Sequence, residues 1–238
     1  KTVAKILYGE ISPYSATRLE RFAACAFAHF LQYGLKVTER AEYEFRAMDM
    51  GNVMHMALEK FAAEVRKEGL DWAELTEEER NRIIDSCLDQ VSADYGNTIL
   101  KSSARNEYMI ERTRRILRRT VWALQEQLKH GAFRPEGFEV RFQGGRIDRV
   151  DIMEEPENNR VYVKVIDYKT GNTSFDLLAL YHGLQLQLMV YLDGALQVEK
   201  RKYPDREIVP AGVFYYNVKD PMIQAVSYTH LRAHETRG

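Results

Sequence analysis

The chain has 238 residues, 45% of them hydrophobic and 29% charged, which is enough apolar material for a sizeable core in one large domain. Its formal net charge of −1 excludes a globally basic nucleic-acid binder, and two cysteines exclude a disulfide scaffold. No apolar run is long enough to span a bilayer and no signal peptide is evident, so the expectation is a reducing, cytoplasmic setting without a membrane partner. The near-neutral balance hides segregation. Residues 64 to 94 hold ten acidic and four basic side chains, whereas residues 101 to 119 hold seven basic and two acidic, so a polyanion would meet the second stretch.

The opening KTVAKILYGE, starting at Lys1, reads as the interior of a longer protein. Ser12, Pro13 and Ser15 are helix-start residues, and Leu19, Phe22, Ala23, Ala26, Phe27, Phe30 and Leu31 recur at helical spacing, predicting a buried-face helix over 13–35. Cys25 lies on it and reads as a small core residue. A second helix is expected over 49–66, with the stripe Met54, Ala57, Leu58, Phe61 and Val65 and with His55 beside it. The segment 75–95 carries the acidic excess and is expected to be a solvated helix. A long helix follows over 104–130, with Ile110, Leu117, Val121, Leu124 and Leu128 on one face. Arg112, Arg115 and Arg119 lie on another, either as a solvated face or as a phosphate-tracking surface.

Gly131 ends that helix, and FEVRFQGG, containing Glu139, reads as a strand. Gly145 to Gly171 then reads as two strands joined by a polar turn. An antiparallel pairing of Asp148 with Asp167 has its midpoint between residues 157 and 158, inside Pro156-Glu157-Asn158-Asn159, where Pro and Asn favour a turn. Strand alternation puts Lys169 on the face of Asp167. Two carboxylates and an ammonium converge, the parts that metal-assisted phosphodiester hydrolysis needs. A helix over 176–198 follows, with Gln187 and Tyr191 one turn apart, and Glu207 to Val218 reads as a final strand. The order predicts an α/β fold: a mixed central sheet flanked by helices, mainly helical over 1–130 with the sheet core over 138–220. The tail 226–238, VSYTHLRAHETRG, lacks a core pattern and resembles a translated sequencing adapter, so the authentic domain is expected to cover 1–225 and His230 and His234 to carry no function.

Four ordered motifs, Gly51-Asn52-Val53-Met54-His55, Gly145-Arg146-Ile147-Asp148, Asp167-Tyr168-Lys169 and Gln187-Leu188-Met189-Val190-Tyr191, resemble those of RecB-like PD-(D/E)XK nucleases (restriction-endonuclease-like core). The resemblance implies Mg²⁺ or Mn²⁺ held by His55, Asp148, Asp167 and the Tyr168 carbonyl. It makes Lys169 the catalytic lysine and gives Gln187 and Tyr191 the positioning of the DNA strand. The stretch SPYSATRLERFAACAFAHFLQYGLKVTER with EYEFRAMDMGNVMHMALEKF is further similar to the nuclease domains of B subunits in AddAB-type helicase–nucleases. That similarity, over about residues 6 to 220, implies an exonuclease acting on unwound single-stranded DNA beside an AddA-type subunit, in double-strand-break repair by recombination. It also implies that Cys25 joins three cysteines beyond the core around a [4Fe–4S] cluster. Cys87 does not fit their spacing and the other ligands are absent from these residues, so the cluster is expected to be incomplete here. A DNA-binding or scaffolding module that does not cleave, and a stand-alone RecB-like exonuclease, stay open as alternatives.

Overall fold

The computed structural model describes residues 5, 7–8, 15–37, 47–94, 104–171 and 173–218; the tail expected to be foreign lies outside them. Ser15 caps helix α1 (Ala16–Ala24) by accepting the Arg18 amide. The continuous buried helix expected over 13–35 is not what forms. Cys25 is extended, with φ −162° and ψ 107°, and α1 gives way to a short α2 (Ala26–His29) and a π-helical turn over Phe30–Gly34. That break rotates one half of the apolar pattern relative to the other, so the two halves cannot share a buried stripe. Phe22 and Phe27 stay 57% and 67% exposed, and Cys25 is exposed as well. His29, by contrast, is buried among the rings of Tyr8, Phe22 and Tyr33.

Helices α3 (Ala47–Lys67), α4 (Glu77–Asp94) and α5 (Ala104–His130) form one layer. The stripe expected on α3 is buried in full. A capping box starts α4: Thr76 Oγ1 accepts the Glu79 amide at 3.2 Å while Glu79 Oε2 accepts the Thr76 amide at 3.0 Å. The acidic helix is not simply solvated. Its Ile83, Ile84, Cys87, Leu88 and Val91 are buried, and its carboxylates lock onto α5. Arg114 reaches Asp89 at 2.7 Å, and Arg118 pairs with Asp85. The charge segregation of the sequence is therefore partly a seam between two helices.

The sheet has four strands, β1 (Arg134–Phe142), β2 (Gly145–Glu155), β3 (Arg160–Lys169) and β4 (Glu207–Asn217), in spatial order β1-β2-β3-β4. The first two pairings are antiparallel and β3–β4 is parallel, so the chain crosses over between them. The crossover is not one helix over 176–198. Asp176 caps a short α6 (Leu177–Tyr181), Gly183 turns the chain at φ +74°, and α7 (Gln187–Lys202) begins only at Gln187. One sheet face packs Ile147, Val150, Val161, Val163 and Val165 against Ala195 of α7. The other presents Ile166 and Tyr168 to the α3–α5 layer. The result is helices on both faces of a mixed sheet, the layering expected of the α/β class. Among the described residues no helix is long and apolar enough to cross a membrane.

Candidate active site

Register is what assembles the site. In the β2–β3 pair Val150 faces Val165 and Arg149 faces Ile166, where the ladder ends, so Asp148 and Asp167 are the next residues along each strand at the same end of the pair. The turn falls where Pro and Asn favour it, as a 3-10 turn over Pro156–Asn158 closed by Asn159 at φ +54°. The Tyr168 amide donates to Asp148 Oδ2 at 2.7 Å, tying the two strands together at the site.

Helix α3 brings His55 over the ends of these strands. Its Nδ1 lies 3.3 Å from Asp148 Oδ1 and 3.8 Å from Glu139 Oε1, while its Nε2 lies 3.2 Å from the Tyr168 carbonyl oxygen. On the other side Lys169 Nζ is 2.6 Å from Asp167 Oδ2 and donates to Gln187 Oε1 at 2.8 Å, and Gln187 Nε2 donates to Tyr191 Oη at 2.9 Å. His55, Asp148, Tyr168, Lys169 and Tyr191 line one cleft of about 800 Å³, together with Glu139 and Arg146. Asp167 and Gln187 sit just behind that lining. Arg112, Arg115 and Arg119 lie on α5 and do not line the cleft; Cys87 is buried in the helical core, away from the exposed Cys25.

Glu139 is not singled out by the sequence pattern. Phe138↔Arg149 and Val140↔Ile147 bracket it opposite Asp148, so the register argument that pairs Asp148 with Asp167 carries over to β1. Its backbone has φ +50°, a left-handed conformation that costs a non-glycine residue about 1–3 kcal/mol and that clusters at functional sites. The side chain is 7% exposed and ion-paired with Arg146.

The electrostatics follow from crowding. Burial alone would lower the His55 pKa, but hydrogen bonds to Asp148 and Glu139 outweigh it and raise it to about 10. Burial and then the Asp148 charge push Asp167 up to about 6, against the pull of Lys169. Donor atoms of His55, Glu139 and Asp148 lie within 4.8 Å of one another. Among the described residues Glu139 Oε2 and Asp167 Oδ2 are buried without a hydrogen-bond donor of good geometry, and each is ion-paired, with Arg146 and Lys169 respectively. Carboxylate oxygens with one imidazole nitrogen suit a divalent cation such as Mg²⁺ or Mn²⁺, so the residues present fit a metal.

The family model of the PD-(D/E)XK nuclease superfamily matches residues 13–236. The chain belongs to that superfamily. It is 48% identical, over 94% of its length and 20% of the relative's, to the B subunit of the ATP-dependent helicase/deoxyribonuclease of Lachnoclostridium phytofermentans. It is 39% identical, over 93% of its length and 21% of the relative's, to the protein of that name from Alkaliphilus metalliredigens. The chain thus spans about a fifth of these relatives, as a nuclease domain homologous to part of each.

Proposed function

We propose that this domain is a metal-dependent DNA exonuclease that hydrolyses unwound single strands beside an AddA-type helicase–nuclease subunit, in the cytoplasm, during recombinational repair of double-strand breaks. The observation that carries the reading is the convergence of His55, Asp148, Asp167, the Tyr168 carbonyl and Lys169 at one cleft. His55, Asp148, Asp167 and the Tyr168 carbonyl, joined by Glu139, would hold Mg²⁺ or Mn²⁺. When bound, that ion supplies Lewis acidity at the phosphoryl oxygen and an acidified water. Lys169, held between Asp167 and Gln187, orients the attacking water and offsets the charge that builds on the phosphate. Gln187 fixes Lys169 on one side and Tyr191 on the other, so both fix the strand relative to the nucleophile. Arg112, Arg115 and Arg119 give the approaching polyanion an outer basic surface. The exposed Cys25 supplies one ligand to a [4Fe–4S] cluster completed by cysteines of the longer protein.

The test is cleavage of end-labelled single-stranded DNA with and without Mg²⁺. Asp167→Ala and Lys169→Ala each lower the rate by about a hundredfold or more. Undiminished cleavage in these variants, or in excess chelator, rules the site out.

A further inference from the structure

The cleft is walled by carboxylates, and Glu59, Glu139 and Asp148 all repel a phosphodiester. Two Lys or Arg side chains line it. Lys169 is committed to Asp167 and Gln187, whereas Arg146 is 58% exposed and, among the described residues, ion-paired only with Glu139. Arg146 stands two residues before Asp148 on β2, and its partner across the β1–β2 hairpin is Arg141, which is also exposed and has no ion pair among the described residues. Directly opposed residues of an antiparallel pair share a face, so two guanidinium groups project from the same side of the hairpin. Like charges in such a pair destabilise the sheet unless an anion sits between them. Arg114 and Arg118 of the basic helix are ion-paired with Asp89 and Asp85, as Arg146 is with Glu139, which leaves Arg141 as the member of the hairpin pair with no carboxylate partner among the described residues.

We infer that Arg141 and Arg146 form a phosphate-tracking pair that guides the backbone of a single DNA strand along the β1–β2 hairpin into the cleft. The inference rests on the nuclease reading above and extends it: Arg146 takes the phosphate next to the scissile one and Arg141 the phosphate beyond, while the bases contribute nothing to this contact. Guanidinium suits it because its planar donors pair with phosphate oxygens two at a time.

The experiment measures binding of the whole chain to a fluorescent thirty-nucleotide oligothymidine by anisotropy, in chelator so that no strand is cut, across 50 to 300 mM salt. Each of Arg141→Gln and Arg146→Gln is expected to flatten the plot of log affinity against log salt by about 0.7, which is about a fivefold weaker affinity at 0.1 M salt. The double variant loses about twice that slope, and Arg141→Lys and Arg146→Lys restore most of it. Circular dichroism confirms that each variant is folded, and the lysine variants read the same contact should a glutamine variant fail to fold. Unchanged slopes in both glutamine variants overturn the inference. So does an Arg146→Gln variant that alters only the metal concentration needed for cleavage, because Arg146 is then no more than the counter-ion of Glu139. Binding in chelator does not depend on hydrolysis, so loss of the nuclease reading through an active Asp167→Ala leaves this measurement decisive in its own right.

Discussion

Tyr168 serves the site through its main chain: its amide donates to Asp148 Oδ2 at 2.7 Å while its carbonyl oxygen lies 3.2 Å from His55 Nε2. Its ring packs edge-on against that of His55, with centroids 6.0 Å apart, and lies in the helical core, where burial pushes the phenol up to about 12. One residue thus couples the packing of the α3–α5 layer to the placement of a carboxylate and an imidazole. A substitution that disturbs the ring is therefore expected to move the ligands as well.

Asp167 is a point where stability and activity oppose each other. Burial and the Asp148 charge raise its pKa from 3.8 to about 6, so the native state binds more protons than the unfolded chain between those values. Stability from this group is present below pH 3.8 and is lost as pH rises through about 6. At neutral pH the ionised carboxyl opposes folding, and Asp167→Asn is expected to stabilise the metal-free domain on the order of 1–3 kcal/mol while abolishing cleavage. Thermal melts at pH 7 should show a rise of about 2–4 °C per kcal/mol. A lower Tm would mean that the Lys169 pair outweighs burial.

His55 has the same sign of pH dependence, in a higher window. Its folded-state pKa, raised from 6.5 to about 10, adds stability that is complete below pH 6.5 and is lost as pH rises through 10. Urea titrations of the metal-free domain should give a falling free energy across that window, and His55→Ala should flatten the fall. Metal binding has to displace the imidazole proton, so affinity for Mn²⁺ is expected to strengthen with pH over the same range. Calorimetry in buffers of different ionisation enthalpy counts the released proton.

Much of this is legible because periodicity and register are local properties. The α3 stripe, the β2–β3 turn and the antiparallel register that ends beside Asp148 and Asp167 follow from spacing alone. The helix over 13–35 fails because its pattern assumes unbroken α geometry, and nothing local announces that Cys25 adopts an extended backbone. Glu139 reads as an ordinary strand residue until β1 is placed beside β2, and only then does it fall opposite Asp148. The acidic segment reads as solvated because its basic partners lie on another helix.

Glu20 shows the same limit, since its role is made by residues far along the chain. Its Oε1 accepts the amides of Leu186 at 2.6 Å and Gln187 at 2.9 Å, closing the N-terminus of α7 from outside. A carboxylate there satisfies unpaired amides and complements the helix dipole. Glu20→Ala is expected to cost about 1–2 kcal/mol and to loosen the first turn of α7, which carries Gln187. Cleavage should fall more in kcat than in KM, because Gln187 holds Lys169 and so sets the alignment of the strand with the nucleophile more than the affinity for it. Glu20→Gln keeps the acceptor and should recover most of the rate.

Gly194 tests how closely α7 must approach the hairpin. A Cβ at this position would lie 2.3 to 2.7 Å from three ring atoms of Phe142, closer than any real contact. The ring cannot simply retreat, because it packs edge-on against Tyr191 with centroids 5.9 Å apart and belongs to the cluster beneath β2 and β3. Gly194→Ala is therefore expected to destabilise the domain by about 1–3 kcal/mol, the range for overpacking, even though alanine favours the helix. Because Tyr191 moves with Phe142, the variant should also lose cleavage rate at temperatures where it remains folded. Adding Phe142→Leu to Gly194→Ala should return part of the stability by opening room for the methyl group. If the single variant proves as stable and as active as the parent, the close helix–hairpin contact is not what sets the position of Tyr191.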